Sequence, residues 1–453
     1  MVRERAFYRT IFTLALPTAL QGLVSFLVVL ADNVMVTTLG DTTYAGVAQS
    51  NGVTALFIAM ISGLVGGSTV LISQYWGRKD EARIRRIFSI VLTTCTAVAV
   101  LFIAVLQLWP RAVLSLLMSD PNIMDAAVPY ITINAWSFLP LAMTMALIGM
   151  FRSVEIVKVT LYVTIVTLFS NISLNYILIF GKLGLPAMGA RGAGLASVLS
   201  RSIEFGVVWY YAFHVQKKFT IKPRDLLRGD KVLLRDYLRH GLPVAIVDAQ
   251  WAFVGFGKAA IIGGLGERMI AANSIAESLM GLGMIFTSSL AGGACVVIGK
   301  TVGAGEYDKT RAYSKTIQLM FLMFGVVMGA AVFFARIPYT SLYSVSAGVK
   351  DLASRMVAIA AISLVGTTYH ASCFVGINRG AGDNRFVMTV DMICGWLIVL
   401  PIAYVTAYVL HVPLEYMFLM LRIDQLFKWI IAFFRLRGNK WIRNVTRTDA
   451  LEA

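Results

Sequence analysis

The chain has 453 residues, of which 58% are hydrophobic and only 14% charged, and its mean hydropathy is +0.75. An ordinary soluble domain carries about 25% charge, so a water-soluble protein is excluded: at this length it would divide into two or three domains, each with a charged surface that this sequence does not supply. The formal net charge of +16 raises the question of a nucleic-acid partner, which the positions of the basic residues answer.

A membrane-spanning helix needs about 20 apolar residues, because only a helix satisfies its backbone groups within one segment when no water is present. Apolar runs between charge clusters predict twelve spans, near residues 10–38, 45–74, 87–109, 127–150, 157–180, 189–213, 241–263, 271–299, 314–335, 354–376, 386–410 and 413–434. The first is too long for the apolar core of a signal peptide and lacks a small-residue cleavage site, so it is expected to stay as an anchor.

Asp32 lies in the first span with apolar residues on both sides. A carboxylate at such depth costs several kcal/mol, which makes it a candidate for holding a proton or cation; the alternative is an acid paired inside the bundle for packing. In the fifth span Asn171 and Asn175 stand four apart on one helix face. Their carbonyl oxygens could ligate a cation beside a carboxylate, or the two amides could tie helices together. Glu204, in the sixth span, reads as an interhelical hydrogen-bonding group, as does His370 in the tenth.

Residues 216–239 hold eight basic residues with Pro223 and Gly229 and read as a partly helical cytoplasmic linker. The seventh span then carries Asp248, five residues past Pro243, and Lys258. Asp248 is a candidate for binding a cation or cationic substrate. Lys258 is either functional, or snorkels, or forms an ion pair. Asp391, in the eleventh span, is a third acid in apolar surroundings. The four cysteines, Cys95, Cys295, Cys373 and Cys394, fall inside predicted spans without metal-ligand spacing and read as packing residues.

With the N-terminus placed in the cytoplasm, the cytoplasmic segments hold 29 of the 40 Lys and Arg and the opposite side six. That asymmetry is the positive-inside signature. Both termini are therefore assigned to the cytoplasm, and the basic charge requires no nucleic acid.

The sequence also repeats itself. At an offset of 226, Leu16-Pro17 falls on Leu242-Pro243, Leu39-Gly40 on Leu265-Gly266, Gly66-Gly67 on Gly292-Gly293, Gly77 on Gly303 and Asp32 on Lys258. At 227, Gly149 and Arg152 fall on Gly376 and Arg379. Six spans return the chain to the same side, so the repeat is parallel. The expected architecture is an all-α membrane protein of two six-helix lobes, 1–215 and 240–453 with its basic tail, joined by the linker 216–239. Two such lobes suit alternating access, although duplicated channels and membrane enzymes also exist. Neither a phosphate-binding glycine loop after a strand nor a Walker lysine is present, so ATP hydrolysis is not expected and energy would come from an ion gradient.

The residues Leu16-Pro17, Ala31-Asp32, Leu39-Gly40, Asn171 to Gly181, Gly189 to Ser197, Arg379-Gly-Ala-Gly-Asp383 and Lys440 to Thr446, in this order and spacing, resemble the multidrug and toxic compound extrusion (MATE) family over nearly the whole chain. The resemblance implies a V-shaped arrangement of twelve helices in the bacterial inner membrane and, with no cofactor, export of cationic or amphipathic compounds in exchange for H+ or Na+. It is closer to the DNA-damage-inducible branch, whose first-lobe cation site maps onto Asp32, Asn171, Asn175 and Ser197. Asn175 stands where that branch has an acid and Ser197 where it has Thr, and the lost carboxylate weakens a sodium site relative to a proton site. The seventh-span glutamate of the other bacterial branch maps onto Trp251, and Asp248 one turn earlier is not a simple substitute. A lipid-linked sugar flippase of the same superfamily is the alternative, disfavoured by the span count and by Lys258 being the one clear mid-span cation. The 20 Met and 26 Phe suit an unselective cleft in a monomer that binds small molecules.

Overall fold

The computed structural model describes residues 2–118, 120–216, 219, 230–438 and 440–447, and every regular element among them is helical. The first six long helices are α1 Arg5–Thr37, α2 Asp41–Gly77, α3 Glu81–Leu108, α4 Pro121–Ser153, α5 Lys158–Phe180 and α6 Ala190–Tyr210. The next six are α7 Lys231–Gly263, α8 Glu267–Gly303, α9 Tyr307–Ser341, α10 Ala347–Asn378, α11 Asn384–Tyr408 and α12 Asp424–Arg437, the last continuing the short helix Leu414–Met420. Ten of these are long and apolar enough to cross a bilayer. Of the remaining two, α6 is interrupted by Arg191, Arg201 and Glu204, and α12, which carries Asp424 and Lys428, is only 14 residues long. Twelve helices therefore match the twelve expected spans.

Several helices begin well before the apolar run that announced them. The span read from residue 10 starts at Arg5, and the one read from 241 starts at Lys231, inside the stretch read as linker. The physical reason is that charged first turns continue a helix out of the hydrocarbon, where reading apolar runs stops. Residues 217–218 and 220–229 of that stretch lie outside the described residues. Short connections have conventional stops. The repeat-related Gly40 (φ 98°) and Gly266 (φ 90°) each turn the chain between the first and second helix of a half, in a backbone conformation that disfavours a side chain.

Contacts divide the chain into two compact units. One comprises Leu20–Ile72 and Asp80–Ala245; the other comprises Met1–Ala19, Ser73–Lys79 and Ile246–Ala453. Three helices thus belong to one unit at one end and to the other at the other end. In α1 and α7 the division falls two residues after Pro17 and Pro243, where each helix lacks a backbone hydrogen bond.

Within the first unit, the start of α7 is tied to α2 by the Tyr237 hydroxyl, which donates to the Leu64 carbonyl at 3.0 Å. It is tied to α3 by Asp230, whose carboxylate accepts from the Val232 and Leu233 amides at 2.9 and 3.0 Å and pairs with Arg86 at 2.9 Å. Within the second unit, the start of α1 packs on α9, where Tyr313 donates to Glu4 at 2.8 Å. There α2 and α8 cross in backbone contact: a Cβ at Gly303 would lie 1.9 Å from the Gln74 carbonyl, and one at the repeat-related Gly77 would lie 2.0 Å from that of Lys300.

The C-terminal segment closes the second unit. Gln74, wholly buried, donates to the carbonyls of Gly380 at 3.1 Å and Arg443 at 3.3 Å and accepts from the Val445 amide at 2.8 Å. Asp383 adds ion pairs to Arg435 at 2.6 Å and Arg443 at 3.1 Å, and Trp441 of the same segment is buried. The four cysteines are buried, as packing residues should be.

Burial pushes the Asp230 carboxyl up, but the Leu233 amide, Arg86 and the Val232 amide outweigh it and hold the group below its ordinary value. Its contribution to stability is therefore complete above about pH 4 and fades as the pH falls through the lower folded-state value. Asp230→Ala should cost about 1 kcal/mol at pH 7, and the gap from the parent in thermal unfolding should narrow towards pH 3.

Candidate functional site

The four residues expected to form a coupling site meet in one cavity of the first unit. It has a volume of about 340 Å³ and is lined by Asp32 from α1, Asn171 and Asn175 from α5, and Ser197 from α6. The fourfold spacing on α5 sets both amides facing α1, and both are buried. The Asn175 amide nitrogen donates to the Asp32 carboxylate and lies 3.3 Å from the Asn171 carbonyl oxygen. The Asn175 carbonyl oxygen is buried and has no hydrogen-bond partner among the described residues. Asp32 itself is half-buried, on the wall of the cavity.

Other polar groups share this chamber and were not singled out from the sequence. Tyr130 donates to Asn51 at 3.1 Å, and Asn134 to Thr54 at 3.4 Å. Arg201, one turn beyond Ser197, lines the same cavity and pairs with the buried Glu204 at 2.7 Å. It also borders a second cavity of about 370 Å³ lined by Gln21, Thr144, Arg152 and Glu204. A cation and an acid three apart in the sixth span were the available signal for this pair. Glu204 is therefore an ion-pair partner, not merely an interhelical hydrogen-bonding group.

The remaining candidates lie in the second unit and are not brought to one point. Asp248 is held by Arg379 at 2.7 Å. Asp391, fully buried, shares Lys428 with Asp424, at 2.8 Å each. Trp251 and Lys258 line a separate cavity of about 260 Å³ together with Gln250, Glu277, Arg422, Asp424 and Lys428. His370 also borders it, with its Nδ1 lying 3.3 Å from the Gly366 carbonyl.

Comparison with known proteins agrees with the duplication. The MatE family model matches residues 17–177 and 243–405, two segments that open on the repeat-related Pro17 and Pro243. The chain is 24% identical over 417 residues to the uncharacterized transporter YisQ of Bacillus subtilis, covering 91% of this chain and 90% of that one. It is 24% identical to the multidrug resistance protein MdtK of Edwardsiella ictaluri, covering 88% and 87%. With the probable multidrug resistance protein NorM of Halalkalibacterium halodurans the identity is 26%, covering 83% and 82%. Among solved structures, a MATE protein in a bent conformation superposes with a TM-score of 0.86 at 19% identity, covering 95% of each chain. An outward-facing multidrug resistance MATE family transporter superposes with the same score and identity, covering 97% of this chain and 96% of that one. These likenesses establish the fold.

Removing one partner of the Arg201–Glu204 pair leaves a charge uncompensated. Arg201→Gln should destabilise the protein by about 1–3 kcal/mol, less than for a fully buried pair, because the Arg201 side chain is 30% exposed. Adding Glu204→Gln should restore much of the loss. Thermal unfolding of both single variants and the double variant measures the coupling.

Proposed function

We propose, from the premise that this chain belongs to the MatE family of membrane transporters, that it is a secondary antiporter. In this reading it exports cationic or amphipathic organic compounds in exchange for a proton or sodium ion, and Asp32 carries the exchange. The observation that carries the proposal is a carboxylate on the wall of a largely apolar cavity, bonded to one neutral amide, while the cavity's own cation is occupied by Glu204. A carboxylate so placed gains or loses a charge at a cost that depends on whether the cavity is wet or closed. Binding of the coupling ion then biases the exchange between inward-open and outward-open states, and each ion shifts the balance only by its differential affinity for the two.

A proton is the better match to these residues than sodium. Sodium is bound by several oxygens at once, whereas Asn175 presents its N–H side to Asp32 and Asn171 lends its carbonyl to Asn175. The names of multidrug resistance relatives support organic export as the transported class. The preponderance of Lys and Arg on one side supports insertion in the bacterial cytoplasmic membrane with both termini inside.

Asp32→Asn should fold and bind detergent like the parent but lose gradient-driven efflux. Reconstituted vesicles loaded with fluorescent organic cations, with proton and sodium gradients imposed separately, read this directly. Full efflux by the variant would remove Asp32 from the mechanism, and efflux driven by sodium alone would reverse the choice of ion.

A further inference from the structure

The internal repeat relates the cavity of the first unit to that of the second residue by residue. At the offset of 226, Asp32 corresponds to Lys258 and Asn51 to Glu277; at 227, Ser197 corresponds to Asp424 and Arg201 to Lys428. All eight side chains line their respective cavities. The duplication has therefore produced two equivalent chambers in which the residue on the first helix of each half has opposite charge.

In the second chamber every charge facing Lys258 is engaged elsewhere. Glu277 is held by Arg422 at 2.5 Å, and Asp424 is held by Lys428 at 2.8 Å, which also binds Asp391 at 2.8 Å. Among the described residues, no carboxylate lies within ion-pair distance of Lys258. An ammonium held out of bulk water without an ion-pair partner of its own is costly and is resolved by an anion, by proton loss or by movement to water. Gln250, buried against the same cavity, gives its amide N–H to the Asp391 carbonyl at 3.2 Å.

The cavity beside Lys258, of about 260 Å³, has room for a small amphipathic ligand. Trp251, Gly255 and Lys258 succeed one another at helical spacing along the face of α7 that lines the cavity. A Cβ at Gly255 would meet no atom within 4 Å, and the same holds for Gly281 on α8. Met280 and Met284 complete the apolar wall. An indole platform, an open gap and an ammonium, in that order, match an apolar or aromatic body ending in a carboxylate.

We propose that this second cavity binds the carboxylate of an amphipathic organic acid, with Lys258 as the counter-charge and Trp251 against the apolar body. The site stands apart from coupling at Asp32, and it extends the transported class to anionic and zwitterionic compounds.

The test is equilibrium binding of 1-naphthoate to the purified full chain in detergent, with 1-naphthylmethylammonium as the charge-reversed probe and chloride as competitor. Naphthoate should bind saturably and displace poorly with chloride, and Lys258→Met should weaken it at least ten-fold. Lys258→Arg should keep it within three-fold, and Gly255→Leu, which fills the gap and leaves the charge, should also abolish it. Asp32→Asn should leave naphthoate binding unchanged even where efflux is lost, which separates failure of this site from failure of the coupling site. Undiminished naphthoate binding to Lys258→Met overturns the proposal, as does preferential binding of the ammonium probe in this cavity. Should Lys258→Met not fold, undiminished binding to Gly255→Leu overturns it instead.

Discussion

A charge taken out of water must find a partner, and that requirement organises the polar interior of this protein. Arg379 answers Asp248, Glu204 answers Arg201, and Lys428 answers two acids at once. Set beside these pairs, Asp32 has an amide as its hydrogen-bond partner, and Lys258, among the described residues, has no carboxylate within ion-pair distance. Structural pairs are thus distinguished from candidate working groups by subtraction. The same subtraction explains why the acids that looked equivalent along the sequence are not equivalent in the fold.

The backbone obeys a second constraint. Helices that cross in contact leave no room for side chains at the crossing, and the α2–α8 crossing at Gly77 and Gly303 uses one glycine from each copy of the repeat. The duplication is therefore visible both in chain order and in how equivalent positions meet. In α1 and α7, the proline of each copy stands where the helix passes from one compact unit to the other. Equivalent sequence thus stands at equivalent places in the division, while the charges carried further along, Asp32 and Lys258, have diverged.

Much of this was legible in the sequence, for identifiable reasons. Helix number follows from apolar length, because hydrocarbon leaves the backbone no other choice. The grouping of Asp32 with Asn171, Asn175 and Ser197 came through resemblance to a family, and the cavity contains all four. The partners of Asp248 and Asp391 were not legible: Arg379 lies 131 residues from Asp248, and helix periodicity says nothing about which helices become neighbours. Arg201 lines the chamber of Asp32, and Glu204, three residues further along the same helix, supplies the acid that makes it tolerable. Lys258 was legible as unusual, but its lack of a counter-charge depends on Arg422 and Lys428 reaching its acidic neighbours first.

The clasp around Gln74 bears on how the protein is made. One compact unit contains both Met1–Ala19 and the segment that Gln74 grips at Arg443 and Val445. Two segments far apart along the chain are therefore needed to finish the same body. The unit built around α3 to α6 draws on Leu20–Ile72 and Asp80–Ala245 and can assemble as that stretch is made, whereas its companion must bring Met1–Ala19 together with segments made after Ala245.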